Sequence, residues 1–220
     1  MKYELIIFDM DGTILDTLED LKNSVNHGLR CMGYPERTID EVRSFVGNGI
    51  RKLMERSVPG GTSEEDIQRM HACFTEHYKE HCADCTKPYD GILRLLEHLR
   101  KSGCKTAVVS NKADYAVQAL CRQYFEDLFD MAAGEQQPRY QKKPAPDLVN
   151  LVLEQLEVPR KRAVYIGDSD VDIETARNAQ LDCIAVDWGF RDRAFLLRHG
   201  AETIVSDTDA LERLLLGEEH

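Results

Sequence analysis

The chain has 220 residues, of which 42% are hydrophobic and 30% charged, a balance typical of a globular protein with a sizeable core. Its 28 basic and 39 acidic residues give a net charge of −11 with no basic block, so binding to nucleic acid or to an anionic membrane is not expected. The start of the chain lacks the pattern of a secretory signal and no apolar run approaches a membrane span, so we expect a cytoplasmic protein with seven reduced cysteines.

Short apolar runs that are rich in β-branched residues predict buried strands. The first run is Leu5–Phe8, and three others follow at residues 106–109, 163–166 and 183–186. Apolar residues at helical spacing separate the later runs. This alternation predicts an α/β fold, with a doubly wound parallel sheet that helices cover on both faces.

Residues 18 to 82 interrupt the alternation with apolar stripes at helical spacing, and Gly and Pro residues separate the stripes. Three stripes are present: Leu18, Leu21, Val25 and Leu29; Val42, Phe45 and Val46; and Ile67, Met70, Phe74 and Tyr78. We therefore predict a helical bundle inserted after the first strand. The expected domains are an α/β core of residues 1–15 and 86–220, and a helical domain of residues 16–85.

Two acids, Asp9 and Asp11, directly follow the first apolar run, and Gly12 permits a tight turn after them. If the chain stays extended, both carboxylates project to the same side of the strand. Such a pair is costly unless a cation neutralises it or one acid holds a proton. Because the ligands are hard oxygen atoms, the pattern favours Mg²⁺.

Acids also follow the third apolar run, in the stretch GDSDVD. Asp168 comes first, and Asp170 and Asp172 lie close behind it. Ligands of parallel α/β sheets bind beyond the carboxyl ends of the strands, so this second acidic group is expected beside the first. We interpret Asp170 as a helix-start acid, because acidic side chains favour the first turn of a helix.

Phosphate-binding groups are expected at the same edge of the sheet. The second run ends in Ser110, Asn111 and Lys112, which can hold phosphate oxygens through hydroxyl, amide and main-chain N–H donors. The stretch KKPAPD adds Lys142 and Lys143 shortly before a predicted helix. Carboxylates, donors and a cation therefore converge on one rim.

The ordered stretches DMDGT, SNK, KPAP and GDSDVD resemble the four motifs of the haloacid dehalogenase superfamily. The resemblance covers residues 5 to about 190, and the helical insertion looks like the C1-type cap of that superfamily. Within it, FVGNGIRKL and VDWGFR are most similar to phosphoglycolate phosphatases.

The resemblance implies roles for four acids. Asp9 would be the nucleophile that attacks phosphorus, and Asp11 the acid that protonates the leaving oxygen and later activates water. Mg²⁺ would be held by the Asp9 carboxylate, the main-chain carbonyl of Asp11 and Asp168. Asp172 would lie just outside these ligands or reach the metal through water.

The resemblance also implies that Ser110, Asn111 and Lys143 bind the phosphoryl oxygens. The PAP sequence after the two adjacent lysines matches the superfamily better with Lys143, and a shared role for Lys142 stays open. The implied function is a Mg²⁺-dependent phosphatase that hydrolyses a small phosphorylated metabolite through an aspartyl phosphate, as a monomer or a homodimer. The favoured substrate is 2-phosphoglycolate.

Alternative functions stay open at this point. A phosphotransferase of the phosphoglucomutase type and a pyrophosphatase use the same motifs, and a phospho-acceptor signalling module also phosphorylates an aspartate. The size of the helical insertion counts against the signalling module. Asp11 counts against a true dehalogenase, whose pattern lacks the second acid.

Three further groups of residues have less definite interpretations. His77, His81, Cys82 and Cys85 do not match a familiar four-ligand zinc pattern, and we interpret them as a solvated helix face with core cysteines. Trp188 and Phe190 are interpreted as packing residues. Asn48 and Arg51, which flank Gly49, either begin a helix or supply a contact to a substrate carboxylate.

Overall fold

The first apolar run of the sequence forms a central strand of a parallel sheet. The structure is a computed structural model that describes residues 2–217. Strand β1 (Leu5–Phe8) is buried along its whole length and pairs in parallel with one strand on each side. Because such a strand has no solvent-facing side, its sequence LIIF is apolar throughout.

Most strands belong to one sheet. In chain order the strands are β1, β2 (Leu15–Asp16), β3 (Lys87–Pro88), β4 (Lys105–Ala113), β5 (Met131–Glu135), β6 (Ala163–Gly167), β7 (Asp182–Val186) and β8 (Ile204–Val205). A parallel six-stranded sheet has the order β5-β4-β1-β6-β7-β8, and β2 pairs with β3 separately. The predicted fold class, a doubly wound parallel α/β sheet, is confirmed.

Helices alternate with the later strands. In chain order they are α1 (Leu18–Cys31), α2 (Ile39–Phe45), α3 (Ile50–Ser57), α4 (Glu64–His81), α5 (Ile92–Lys101), α6 (Asp114–Tyr124), α7 (Asp147–Gln155), α8 (Asp170–Ala179), α9 (Arg193–Arg198) and α10 (Thr208–Leu216). Apolar residues of α7 and α8 pack in one core cluster with Leu5 and Ile7 of β1. Within residues 2–217, no helix combines the length and the apolar character that crossing a membrane requires.

The described residues divide into two compact units. Residues 2–15 and 88–217 form the sheet unit, and residues 16–87 form the helical unit. The helical unit contains α1 to α4, with α1 packed against α4. It extends two residues beyond the boundary of 85 that the sequence predicts.

Strand β4 is longer than the apolar run that predicts it. The strand runs over Lys105–Ala113, so Ser110, Asn111 and Lys112 lie within it and not beyond its end. The pairing register of β4 with β5 shifts between Val109 and Ala113. Such an irregularity changes the direction of the side chains in the strand, which allows these polar residues to face the rim of the sheet.

A buried carboxylate ties the two ends of the helical unit together. Asp20 in α1 is 1% exposed. It accepts hydrogen bonds from the main-chain N–H groups of Cys85 and Thr86 and from the Thr86 hydroxyl, at 2.8 to 3.0 Å. These donors satisfy a charge that would otherwise be costly to bury.

We expect Asp20→Ala to lower the free energy of unfolding by about 3 kcal/mol, because it leaves buried donors without an acceptor. Urea unfolding followed by far-UV circular dichroism measures this loss. The matched control is Asp40→Ala, since Asp40 also lies in the first turn of a helix but its side chain is 81% exposed. Equal midpoints for the two variants would refute an anchoring role for Asp20.

Candidate active site

Asp9 lies directly after β1 and continues the pairing of that strand, since its N–H donates to the carbonyl of Ile166 at 2.8 Å. The side chain is buried. Burial disfavours the charged carboxylate and raises the pKa of Asp9 to about 6, against the opposing effect of Lys143. The sheet therefore places a carboxylate of altered acidity at its carboxyl edge.

A buried lysine links Asp9 to a second acid. The Nζ atom of Lys143 lies 2.9 Å from Oδ1 of Asp9 and 2.7 Å from Oδ1 of Asp172, and 3.0 Å from the Tyr165 hydroxyl. Lys143 is 3% exposed. Burial acts against its charge, but Asp172 and Asp9 raise the pKa of Lys143 well above its usual value, so the ammonium form is retained.

Asp172 is bound on both carboxylate oxygens. Oδ1 faces Lys143, and Oδ2 accepts from the Ser169 N–H at 3.1 Å and from the Ser169 hydroxyl at 2.6 Å. The bond from the Ser169 N–H belongs to the capping box of α8. Asp172 thereby holds Lys143 against Asp9. Asp170, two residues before Asp172, is the first residue of α8.

Asp168 follows β6 and is 1% exposed. Its Oδ2 accepts from the Phe190 N–H at 2.6 Å, and its Oδ1 accepts a long 3.4 Å bond from the Thr13 hydroxyl. Burial and the charges of Asp172 and Asp9 raise the pKa of Asp168 well above its usual value. These donors are neutral, so they orient the carboxylate without cancelling its charge.

The acids fit a divalent cation. One carboxylate oxygen from each of Asp9, Asp168 and Asp172 lies within 4.8 Å of the others, the only such group of three His, Cys, Asp or Glu residues among residues 2–217. Oδ1 of Asp9 is buried and receives no well-aligned hydrogen bond, although Lys143 is nearby. One ammonium, that of Lys143, offsets only part of the charge of three carboxylates. Hard oxygen ligands with excess negative charge suit Mg²⁺, so the residues present match the expected group.

A second buried lysine accompanies Asp11. The Nζ atom of Lys112 lies 3.0 Å from Oδ1 of Asp11, and its side chain is 2% exposed. The sequence placed Lys112 among possible phosphate donors but did not assign it a partner. The position of Lys112, directly after Ser110 and Asn111, could have indicated that it has an acidic partner. A lysine at the end of a buried strand is rarely buried without a charge partner.

The other predicted phosphate-binding residues lie at the same edge. Ser110 is 2% exposed and its hydroxyl accepts a long 3.4 Å bond from the Lys112 N–H. The amide of Asn111 exchanges two hydrogen bonds with the main chain of Lys143, at 2.8 and 3.0 Å. Asn111 therefore fixes the position of Lys143 relative to β4.

Residues 6–186 match the family model described as haloacid dehalogenase-like hydrolase. The chain belongs to this family. The match covers the acids and the lysines of the site. It confirms the superfamily that the four sequence motifs resemble.

Relatives of this hydrolase carry more specific names. A phosphoglycolate phosphatase of Mesorhizobium japonicum is 30% identical over 230 residues and is matched over 100% of each chain. One from Aquifex aeolicus is 33% identical over 191 residues, covering 84% of this chain and 85% of the relative. A solved structure from Lactobacillus delbrueckii subsp. bulgaricus, itself a predicted phosphoglycolate phosphatase, is 40% identical with a TM-score of 0.94, covering 99% of this chain and 100% of that chain. The prediction of an enzyme similar to phosphoglycolate phosphatases is confirmed.

Residues 188–190 of the hydrolase also contact the site, although the sequence suggested packing alone. Trp188 Nε1 donates to the carbonyl of Thr13 at 3.1 Å, and the Phe190 N–H binds Asp168 as described above. The signal that could have been used is Gly189 between two aromatic residues, because glycine often marks a close approach of the main chain to another group.

Arg51 and the histidines lie in the helical unit. The guanidinium of Arg51 forms ion pairs with Glu55 and Glu64. His77 stacks between two other imidazoles, His27 and His81, with ring centroids 4.2 and 4.3 Å apart. Nδ1 of His77 lies 3.0 Å from the Ser24 hydroxyl, and Nδ1 of His81 lies 2.7 Å from the Asp84 carboxylate. The substrate contact of Arg51 stays a prediction.

Proposed function

We propose that this hydrolase cleaves a small phosphate monoester, with Asp9 as the nucleophile. The observation that carries the proposal is the buried contact of Asp9 with Lys143 at the carboxyl end of β1. A carboxylate cannot approach a phosphate dianion unless nearby positive charge offsets the repulsion. Lys143 supplies one such charge beside the nucleophile itself.

The reaction has two steps. An oxygen of Asp9 forms a bond to phosphorus while the bond to the leaving oxygen breaks, and Asp11 gives its proton to that oxygen. Asp11 then takes a proton from water, which attacks phosphorus and releases inorganic phosphate and the Asp9 carboxylate. Lys112 orients Asp11 through its contact with Oδ1. Ser110 and Lys143 hold the phosphoryl oxygens. Asn111, which the resemblance also assigns to them, contributes by fixing the main chain of Lys143.

Mg²⁺ is the proposed cofactor. Asp9, the main-chain carbonyl of Asp11 and Asp168 would hold it, with Asp172 beside them, and it would supply positive charge for the phosphoryl oxygens in the transition state. The proposal rests on three buried carboxylates that share the single ammonium of Lys143 and on the neutral donors that orient Asp168.

We propose 2-phosphoglycolate as the substrate, because the named relatives are phosphoglycolate phosphatases. The helical unit, residues 16–87, would act as the cap that selects the leaving group. The test measures inorganic phosphate release from 2-phosphoglycolate, glucose 6-phosphate, a nucleoside monophosphate and pyrophosphate, with Mg²⁺ or with a chelator. Phosphorus NMR of the same mixtures distinguishes hydrolysis from transfer to a sugar hydroxyl. A protein that isomerises a sugar phosphate without releasing phosphate would contradict the proposal.

We expect Arg51→Ala to raise KM for 2-phosphoglycolate about tenfold and to leave KM for a neutral ester unchanged, because a guanidinium recognises a carboxylate. Its present pairs with Glu55 and Glu64 are at the surface, so exchanging them for a substrate carboxylate costs little. Steady-state kinetics of both esters provide the measurement. Arg43→Ala is the control, and equal effects of Arg51→Ala on the two esters would rule out carboxylate recognition.

A further inference from the structure

Residues 188–190 touch two parts of the acidic site at once. On one side the Trp188 Nε1–H donates to the carbonyl of Thr13, in the turn that follows the nucleophile. On the other side the Phe190 N–H donates to Oδ2 of Asp168 at 2.6 Å. The segment therefore joins the loop after β1 to the acid at the end of β6.

Gly189 has no room for a side chain. A Cβ atom at this position would lie 2.2 Å from the carbonyl oxygen of Gly12 and 2.4 Å from Oδ2 of Asp168. Both distances are far below any normal contact of a Cβ atom. The main chain at Gly189 thus lies directly against the Asp168 carboxylate, and the requirement for glycine is one of space.

The segment is itself anchored to the sheet. Asp187, which follows β7, donates its N–H to the carbonyl of Val205 at 3.1 Å. Its Oδ2 atom accepts from Arg193 at 3.0 Å and from the Ser206 hydroxyl at 2.9 Å. These contacts hold the residue before Trp188 on two sides, so the segment can transmit a fixed position to Asp168.

We propose that residues 188–190 are a positioning segment that holds Asp168 in the orientation required by a divalent cation and thereby sets the affinity of the site for that cation. The inference rests on the proposed function, since it assumes that Asp168 is a ligand. Neutral groups that orient a metal-binding carboxylate change metal affinity when they are removed, typically about 10- to 100-fold.

The test uses Gly189→Ala, in which the new methyl group must displace Asp168 or the segment. Isothermal titration calorimetry with Mg²⁺ measures the dissociation constant, which we expect to rise at least about tenfold. The control is Gly60→Ala, because a Cβ atom at Gly60 would meet no other atom within 4 Å. Trp188→Phe is a milder variant that keeps an aromatic ring but removes the Nε1–H donor and part of the ring surface, with an expected rise of about threefold.

Two further readouts separate positioning from general damage. Trp188 is the only tryptophan of the chain, so its fluorescence in the wild type should change on Mg²⁺ binding. If positioning is the cause, raising the Mg²⁺ concentration will restore most of kcat in Gly189→Ala. A kcat that stays low at saturating Mg²⁺ would overturn the proposal.

The outcomes also separate this inference from the proposed function. If the wild type binds Mg²⁺ and releases phosphate but Gly189→Ala and Trp188→Phe bind Mg²⁺ as the wild type does, the inference is wrong and the function stands. If Gly189→Ala does not fold, an unchanged dissociation constant in Trp188→Phe alone overturns it. A wild type that neither binds Mg²⁺ nor releases phosphate overturns the proposed function.

Discussion

Asp9→Asn is expected to lower phosphate release by at least about 10⁴-fold, because an amide cannot form the bond to phosphorus that starts the reaction. The change keeps the size of the side chain and removes a buried carboxylate, whose pKa is raised by desolvation. Folding should therefore be unaffected. Inorganic phosphate release with Mg²⁺ at saturating substrate measures the loss, and a thermal melt confirms that the variant is folded.

Asp170→Asn is the matched control for this experiment. Asp170 belongs to the same acidic stretch as Asp168 and Asp172 but begins helix α8. Loss of the Asp170 charge should lower the free energy of unfolding by no more than the favourable interaction of an acid with a helix N-terminus, and activity should remain within about threefold of the wild type.

Retained turnover in Asp9→Asn would exclude Asp9 as the nucleophile.

Lys143→Met has the second large expected effect, a fall in kcat/KM of about 10³-fold. The change removes the ammonium that lies 2.9 Å from Oδ1 of Asp9, the proposed nucleophile. Because Asp9 and Asp172 would then face each other without this counter-charge, we also expect a loss of about 3 kcal/mol in the free energy of unfolding. Steady-state kinetics with 2-phosphoglycolate and urea unfolding measure the two effects.

The adjacent lysine is the control for Lys143→Met. Lys142 is partly exposed, whereas Lys143 is buried between two carboxylates. Lys142→Met should change neither kcat/KM nor stability by more than about twofold or 0.5 kcal/mol, which is usual for partly exposed positions. Equal losses in the two variants would show that the lysines share the role, an alternative that the sequence left open.

The sequence predicted those parts of the fold where one short run of residues is enough to determine the secondary structure. Strand β1 has the predicted bounds because four consecutive apolar side chains are stable only when both faces are covered. Strand β5, Met131–Glu135, was not predicted, since alanine and glycine give no strand signal. Gly134 is required there for space, because a Cβ atom would lie 2.5 Å from Cα of Asp114.

In the candidate site, too, the sequence predicts what short motifs determine and does not predict contacts between distant residues. The identities of Asp9, Asp11, Asp168 and Lys143 follow from motifs that the sequence displays directly. The partner of Lys112 could not be predicted, because its bond to Asp11 joins residues 101 positions apart. The bond between Trp188 and Thr13 joins residues 175 positions apart. Such contacts depend on which strands are neighbours, and strand order is a property of the tertiary fold.

The central place of β1 also orders events during synthesis of the chain. Leu5–Phe8 leaves the ribosome before its partners β4 and β6, which begin at residues 105 and 163. At a usual rate of about 5 to 20 residues per second, the first partner follows about 5 to 20 s later. Helices α1 to α4 are complete before then and form local contacts quickly. The strand that precedes Asp9, the proposed nucleophile, is thus made early and paired late, and during this interval its apolar edge is exposed to misassembly.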